Sequence, residues 1–484
     1  MPTSEVLDAK RQGVGRRDLG YRGRIEKRIP RGNGRPPSLG GMETEKASAD
    51  DGRWDRRSLL RGAAVLAGAA AAAPLLDGAA TALADGGDAD ALFRAGKFEQ
   101  AGRAYEEILK KDPGNLHAAR RRGHVGLLSN RFPEAEKYLK AAVRLAPGDK
   151  EANELLGDCY IRQDKFALSV PCWKAAGAED YAQWFAAISG DAYQIKGDVG
   201  RVRFLQMDPR PLVEASVNGG PAKRFTFYTG APNLSLTASA AKEAGLKAVV
   251  SQRTDFEGTP IWVHYGVLDS FRLDGIELRN VPVGWSSTES GADVGADSDG
   301  LIGTWVFYHL LTTFDYAGRH LVLRRRTPET ARKARAAAAR AGAEPLPMWL
   351  ARDHDVHSVG SVAGSGPRVV GVNLGGVGEI AAGMPGEVAR RLGVRIDLDR
   401  PIETFAHSHP TVTHPCYPEE IRLGDAVAQR VYCEADPNMP VNVPWPYGTG
   451  IDGIAHFAHC FFKPYNVTLD FTDMKLYIAR GKAA

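Results

Sequence analysis

The sequence predicts a multidomain protein of the α plus all-β class, in which an N-terminal array of helical hairpin repeats precedes a bilobal β fold. Three observations carry that prediction. A 34-residue period links Phe98, Phe132 and Phe166; the texture changes near residue 205 to short β-branched and aromatic runs broken by Gly, Pro and Asn; and the layout of that first β region returns later in the chain. At 484 residues the chain exceeds one hydrophobic core, and its 43% apolar and 25% charged content is that of folded domains. Residues 1–84 hold 15 Lys/Arg against 10 Asp/Glu, which accounts for the net charge of +4 and leaves the remainder near neutral. A nucleic-acid partner therefore loses its electrostatic footing.

Residues 1–41 are rich in Arg and Gly without apolar periodicity and read as a disordered or non-native extension, with Met42 opening the segment that matters. Residues 42–84 read as an export signal. Arg56 and Arg57 precede an Ala-rich apolar stretch from Gly62 to Leu76, and Ala82-Leu83-Ala84 offers a small-residue cleavage site near Ala84. The paired arginines resemble a twin-arginine signal, which implies a periplasmic or extracellular location. The apolar stretch is short for a spanning helix, so no stable membrane insertion is expected after cleavage.

The repeat region, 85–200, also spaces Ala101 and Ala135, Pro113 and Pro147, and Gly123 and Gly157 by 34 residues. Small residues where two helices touch, and proline after the second helix, resemble tetratricopeptide repeats. The third unit departs, with Ser169 at the small position and Trp173 at the large one. The resemblance implies a peptide or protein partner held in a groove; a structural spacer is the other reading.

In the first β lobe, 205–326, Val217-Asn218-Gly219-Gly220 is followed by Phe225-Thr226-Phe227-Tyr228-Thr229-Gly230-Ala231 and later by Leu301-Ile302-Gly303. After a charged helical linker, 327–366, the second lobe, 367–484, shows Val372-Asn373-Leu374-Gly375-Gly376, then Ile380-Ala381-Ala382-Gly383, and later Ile454-Ala455-His456. Each lobe resembles a retropepsin-type aspartic protease unit, and the pair resembles a pepsin-like bilobal enzyme. That family has an apolar strand running into Asp-Thr/Ser-Gly and needs two carboxylates sharing one proton. On this reading the motif positions are vestigial: Tyr228, Thr229 and Gly230 in lobe one, Ala381, Ala382 and Gly383 in lobe two, with His456 where a glycine should thread the loop. Neither alanine nor an ordinary phenol, which titrates near 10, replaces the missing carboxylates. Glu379, Asp315 and Asp470 read as solvated or structural.

The resemblance places cleft-covering hairpins at Gly258–Tyr265, where Trp262, His264 and Tyr265 either face a ligand or pack in a core, and at His407–Cys416. His407, His409 and His414 share the latter segment, so zinc or copper is the alternative to the expectation of no cofactor. Asp353–His357 reads as charged linker. Of the five cysteines, Cys416–Cys433 and Cys159–Cys172 are placed to pair in an oxidising compartment, leaving Cys460 free; five isolated buried thiols are the other reading. The expectation is an exported peptide- or protein-binding pseudo-protease coupled to an interaction module. An active aspartyl peptidase or a metal-dependent hydrolase using non-standard residues is the alternative.

Overall fold

The computed structural model describes residues 88–256, 259–287, 297–376, 379–406, 409–439 and 450–482. The extension, the signal with Arg56 and Arg57, and the cleavage site at Ala84 lie outside the described residues. Among the described residues seven helices come first: α1 Ala89–Arg94, α2 Phe98–Lys111, α3 Leu116–Leu128, α4 Phe132–Leu145, α5 Lys150–Ile161, α6 Phe166–Ala176 and α7 Glu179–Ala186. Their starts follow the 34-residue period. Asn115 caps α3 by accepting from Ala118 N (2.9 Å), and Asp149 caps α5 by accepting from Ala152 N (2.7 Å). The glycines are contact points: a Cβ on Gly126 would stand 2.9 Å from Ala135 N, on Gly123 2.6 Å from Leu139, and on Gly157 2.8 Å from Trp173. Gly157 thereby explains why the third unit accommodates Trp173 at its large position.

The first lobe follows with β1 Gln194–Lys196, β2 Val199–Arg203, β3 Leu212–Val217, β4 Ala222–Phe227, β5 Leu234–Leu236, α8 Ala238–Glu243, β6 Val250–Phe256, β7 Thr259–Leu273, β8 Ile276–Ser286, β9 Gly300–Ile302, α9 Thr304–Tyr308, β10 Leu310–Asp315 and β11 His320–Arg325. Next come α10 Pro328–Arg340, β12 Leu346–Pro347 and β13 Trp349–Leu350. The second lobe has β14 Val356–Val362, β15 Ser365–Val372, β16 Ala382–Pro385, α11 Gly386–Arg391, β17 Ile402–Ala406, β18 His409–Cys416, β19 Glu420–Leu423, β20 Ala426–Gln429, β21 Cys433–Asp436, β22 His456–Phe457, α12 His459–Phe462, β23 Tyr465–Asp470 and β24 Lys475–Arg480. No described helix is long and apolar enough to cross a membrane.

Each lobe has its own sheet, in the order β1-β8-β5-β9-β4-β3-β7-β6 for the first and β17-β18-β21-β16-β22-β15-β14-β19-β20 for the second, with β13 on β14. A third sheet, β12-β24-β23-β10-β11-β2, belongs to both lobes, because β10 pairs antiparallel with β23 from Thr312↔Leu469 to Asp315↔Asn466. Two expected boundaries move. Strands β1 and β2 already belong to lobe one, and β14 lies within the expected linker, its hairpin with β15 opening lobe two. The segment Asp353–His357 is not a solvated linker either, since His354 and His357 are buried.

The repeat array does not stand free of the lobes. At its first end Phe93 and Phe98 pack with Val369 of β15 and Ile451, and Asp452 N donates to Arg94 O (2.8 Å). At its last end Trp184 Nε1 donates to Gly266 O (2.8 Å), with its ring 4.6 Å from Tyr265 and 5.8 Å from Trp305. Between these ends the chain's own segment 349–354 lies against α3 and α5. Arg162, 3% exposed, donates from Nη1 to Leu127 O and Leu350 O (3.1 Å each), and from Nη2 to Ala351 O (2.8 Å) and Asp158 (2.6 Å). Trp349 stands edge-on to Phe98 at 4.9 Å, and Tyr308 OH donates to Arg162 O (2.9 Å).

Two outcomes follow from this burial. Arg162→Met fills similar volume but leaves three carbonyls and Asp158 without their donor, so the urea midpoint should report a loss of about 3 kcal/mol or more. An unchanged midpoint would remove Arg162 from that role. The second outcome concerns acid. Burial pushes His124, His354, His357 and His459 below the ordinary imidazole value, His357 and His459 to about 4. The unfolded chain takes up these protons near pH 6.5 while the folded chain resists them to lower pH. Stability should therefore be full above about pH 6.5 and decline as the pH falls toward 4, which urea titrations at pH 7.5 and 5 would read.

Candidate functional site

The site is built by two copies of one strand arrangement. In lobe one β9 lies between β4, to which it is parallel, and β5, to which it is antiparallel, with Phe227 opposite Ile302. In lobe two β22 lies in the same way between β15 and β16, with Val372 opposite Phe457. The next residue on each chain then bonds alike: Tyr228 N donates to Ile302 O (3.1 Å) and Asn373 N to Phe457 O (2.8 Å). Tyr228 and Asn373 are therefore topological equivalents, and Tyr228-Thr229-Gly230 matches Asn373-Leu374-Gly375.

This corrects the lobe-two positions read from the sequence. Ala381, Ala382 and Gly383 belong to the far side of the arrangement: Ala382 and Gly383 pair with Phe457 and His456 from β16, and Ala381 and Ala382 are buried in the core. His456 also shifts, standing opposite Gly371 where Leu301 stands opposite Thr226, so that Ala458 takes the place of Gly303. The apparent repeat of Val217–Gly220 at Val372–Gly376 misleads for the same reason. The former is the β3–β4 turn, whose counterpart is the turn between Val362 and Ser365.

The two turns are joined through Thr229. Its fully buried Oγ1 donates to Val372 O (2.7 Å) and accepts from Leu374 N (2.9 Å), while its own N donates to Leu374 O (3.1 Å). Leu374 has no hydroxyl to return the bond. Instead Gly375, at φ +75°, donates its N–H to Tyr316 OH (2.7 Å). Burial raises the Tyr316 phenol far above its ordinary value, so it remains protonated.

At the floor between the turns Asn373 Nδ2 donates to Tyr228 OH (3.3 Å). The Tyr228 ring lies against Gly230 and Gly376, where an added Cβ would collide with it. Asn373 is 8% exposed and its Oδ1 has no hydrogen-bond partner among the described residues. No carboxylate occupies either equivalent position. Glu379 is exposed. Asp315 and Asp470 end strands of the shared sheet and serve turns, Asp315 accepting from Gly318 N (2.8 Å) and Asp470 from Thr472 N (3.0 Å).

A family model for the tetratricopeptide repeat matches residues 87–150 and 129–171, and one for aspartyl protease matches residues 213–306. The chain joins tetratricopeptide repeats to an aspartyl-protease-like domain. No curated protein matches it.

In the protease-like domain both expected hairpins form, β6 with β7 and β17 with β18. Trp262 is 49% exposed on the first, and its backbone N and O bond Ser287. His264 Nδ1 lies 2.7 Å from Ser251 Oγ. Tyr265 packs on Trp184 and Tyr181 and so belongs to the contact with the repeats. His407 and the His409 side chain lie outside the described residues; His414 is half-buried on β18. Among the described residues no group of three or more metal-ligating side chains gathers. Cys416 stands directly opposite Cys433, and all five cysteines are unlinked, with burial pushing the Cys416 thiol up to about 12.

The residues missed from sequence are Asn373, Leu374 and Gly375. The available signal was the apolar strand Val369–Val372 running directly into Asn-Leu-Gly-Gly, as Phe225–Phe227 runs into Tyr-Thr-Gly-Ala. Thr229→Val should leave Leu374 N and Val372 O unpaired and cost about 1–3 kcal/mol in a denaturation midpoint. A neutral result would mean that the lobes are held without this hydroxyl.

Proposed function

We propose that this chain is an exported peptide-binding pseudo-protease, its repeats bracing a cleft that receives an extended ligand without cutting it. The observation that carries the reading is the pair Tyr228 and Asn373 at the two equivalent positions. Acid proteolysis requires one carboxyl to activate water while its partner holds the shared proton. A phenol beside a carboxamide donates and accepts hydrogen bonds but has no pair of carboxyls to exchange that proton.

Binding needs less than catalysis, and its elements remain. The buried, unbonded Oδ1 of Asn373 is an acceptor that a ligand N–H would satisfy. The β6–β7 hairpin offers an exposed aromatic, Trp262, and an extended peptide can add to strand backbone while its side chains find pockets. The twin-arginine-like segment with Arg56 and Arg57 supports export.

The test is capture of a peptide library by the full chain, with mass spectrometry of what is retained. Peptides should be recovered intact and raise the Tm, and Asn373→Leu or Trp262→Ala should each weaken capture about tenfold. Shortened peptides, or capture indifferent to both substitutions, would overturn the reading.

A further inference from the structure

The outer face of the sheet shared by the two lobes carries a concentration of charge that the cleft does not use. Residues 319–340 hold eight Lys/Arg against one Glu, although the chain beyond its first 84 residues is near neutral as a whole. The edge strand β2 alternates so that Val199, Arg201 and Arg203 face outward, and the next outward residue is Leu205. Val199 is 55% and Leu205 46% exposed, so two large apolar side chains flank two arginines on one edge.

Register extends the face inward from that edge. Arg203 lies opposite His320 and Val199 opposite Arg324. The row through Arg201 continues across Val322, Thr313 and Thr468 to Tyr477, and α10 lies over its far end, where Arg335 pairs with Asp473 at 2.6 Å and its charge acts on Tyr477. Some charges are neutralised locally: Asp198 takes Arg325 and Glu329 takes Lys333. Among the described residues no carboxylate pairs with Arg201, Arg203, Arg319, Arg324, Arg332 or Arg340. Arg324 is half-buried with only a long bond to Thr313 Oγ1 (3.4 Å) and a like charge, Arg201, beside it.

We propose that this face docks peripherally on an anionic lipid bilayer. The edge that exposes Arg201 and Arg203 between Val199 and Leu205 suits a planar array of phosphodiester headgroups, and the hollow on α10 lined by Arg332 and Arg335 is open rather than enclosing. Arginines without a carboxylate partner are drawn to such a surface, and apolar side chains at the rim reach the headgroup boundary. The cleft reading and the membrane reading rest on different residues, and either can stand alone.

The experiment is sedimentation of the full chain with vesicles of phosphatidylcholine alone or with one quarter phosphatidylglycerol, beside an Arg201→Glu/Arg203→Glu variant. Both substitutions are exposed, and a thermal melt of the variant beside the wild-type chain checks that the fold is intact. The wild-type chain should partition to the anionic vesicles, lose that binding at high salt, and bind about tenfold or more tightly than the variant. Equal binding by the variant, or no preference for anionic vesicles, would overturn the proposal. Tighter capture of a duplex DNA fragment through the same arginines would also overturn it, in favour of a nucleic-acid surface.

Discussion

Thr229 is the point at which the two lobes become one site. Its hydroxyl, sealed from water, satisfies a carbonyl and an N–H of the opposite lobe at once, and its backbone N–H adds a third bond. Polar groups buried this deeply are costly when unpaired, so the arrangement fixes the spacing of the turns on either side. Tyr228 and Asn373 face each other because Thr229 and Gly375 hold their turns together. Thr229 and the glycines beside Tyr228 and Asn373 thus have a structural duty of their own. The shared sheet, through β10 and β23, repeats that constraint on a larger scale.

The repeat array extends the same logic outward. It touches lobe two through Phe93 and Phe98, lobe one through Trp184, and the segment between the lobes through Arg162. Tetratricopeptide arrays are protein-interaction modules, and here part of that capacity is spent on the chain itself. Because Trp184 bonds Gly266 on the strand that leads out of the β6–β7 hairpin, the array also sets where that hairpin starts.

The architecture was legible in the sequence where the periodicities were long and local. Phe98, Phe132 and Phe166 located the helices, and the alternation around Phe225 and Leu301 located a lobe. The lobe-two site was not legible, because it carries neither marker of the family's motif. Without an aspartate, and with Leu374 in place of a hydroxyl residue, the turn after β15 looked no more like the motif than Ala381-Ala382-Gly383, and only strand pairing separates them. Arg162 and the buried His354 and His357 were equally hidden, since their partners lie far along the chain and a charged residue read alone defaults to the surface.

The two equivalent positions of the aspartyl-protease-like frame are held by a phenol and a carboxamide. The proposed function turns on this pair, because the two groups, in hydrogen-bond contact, donate and accept hydrogen bonds, whereas acid proteolysis exchanges a proton between two carboxyls. The most direct measurement is digestion of a peptide library by the purified chain from pH 3 to pH 8, followed by mass spectrometry, with a pepstatin arm and a chelator arm. The account predicts intact peptides at every pH in all arms. Cleavage that pepstatin blocks, and that Tyr228→Phe or Asn373→Ala abolishes, would contradict it.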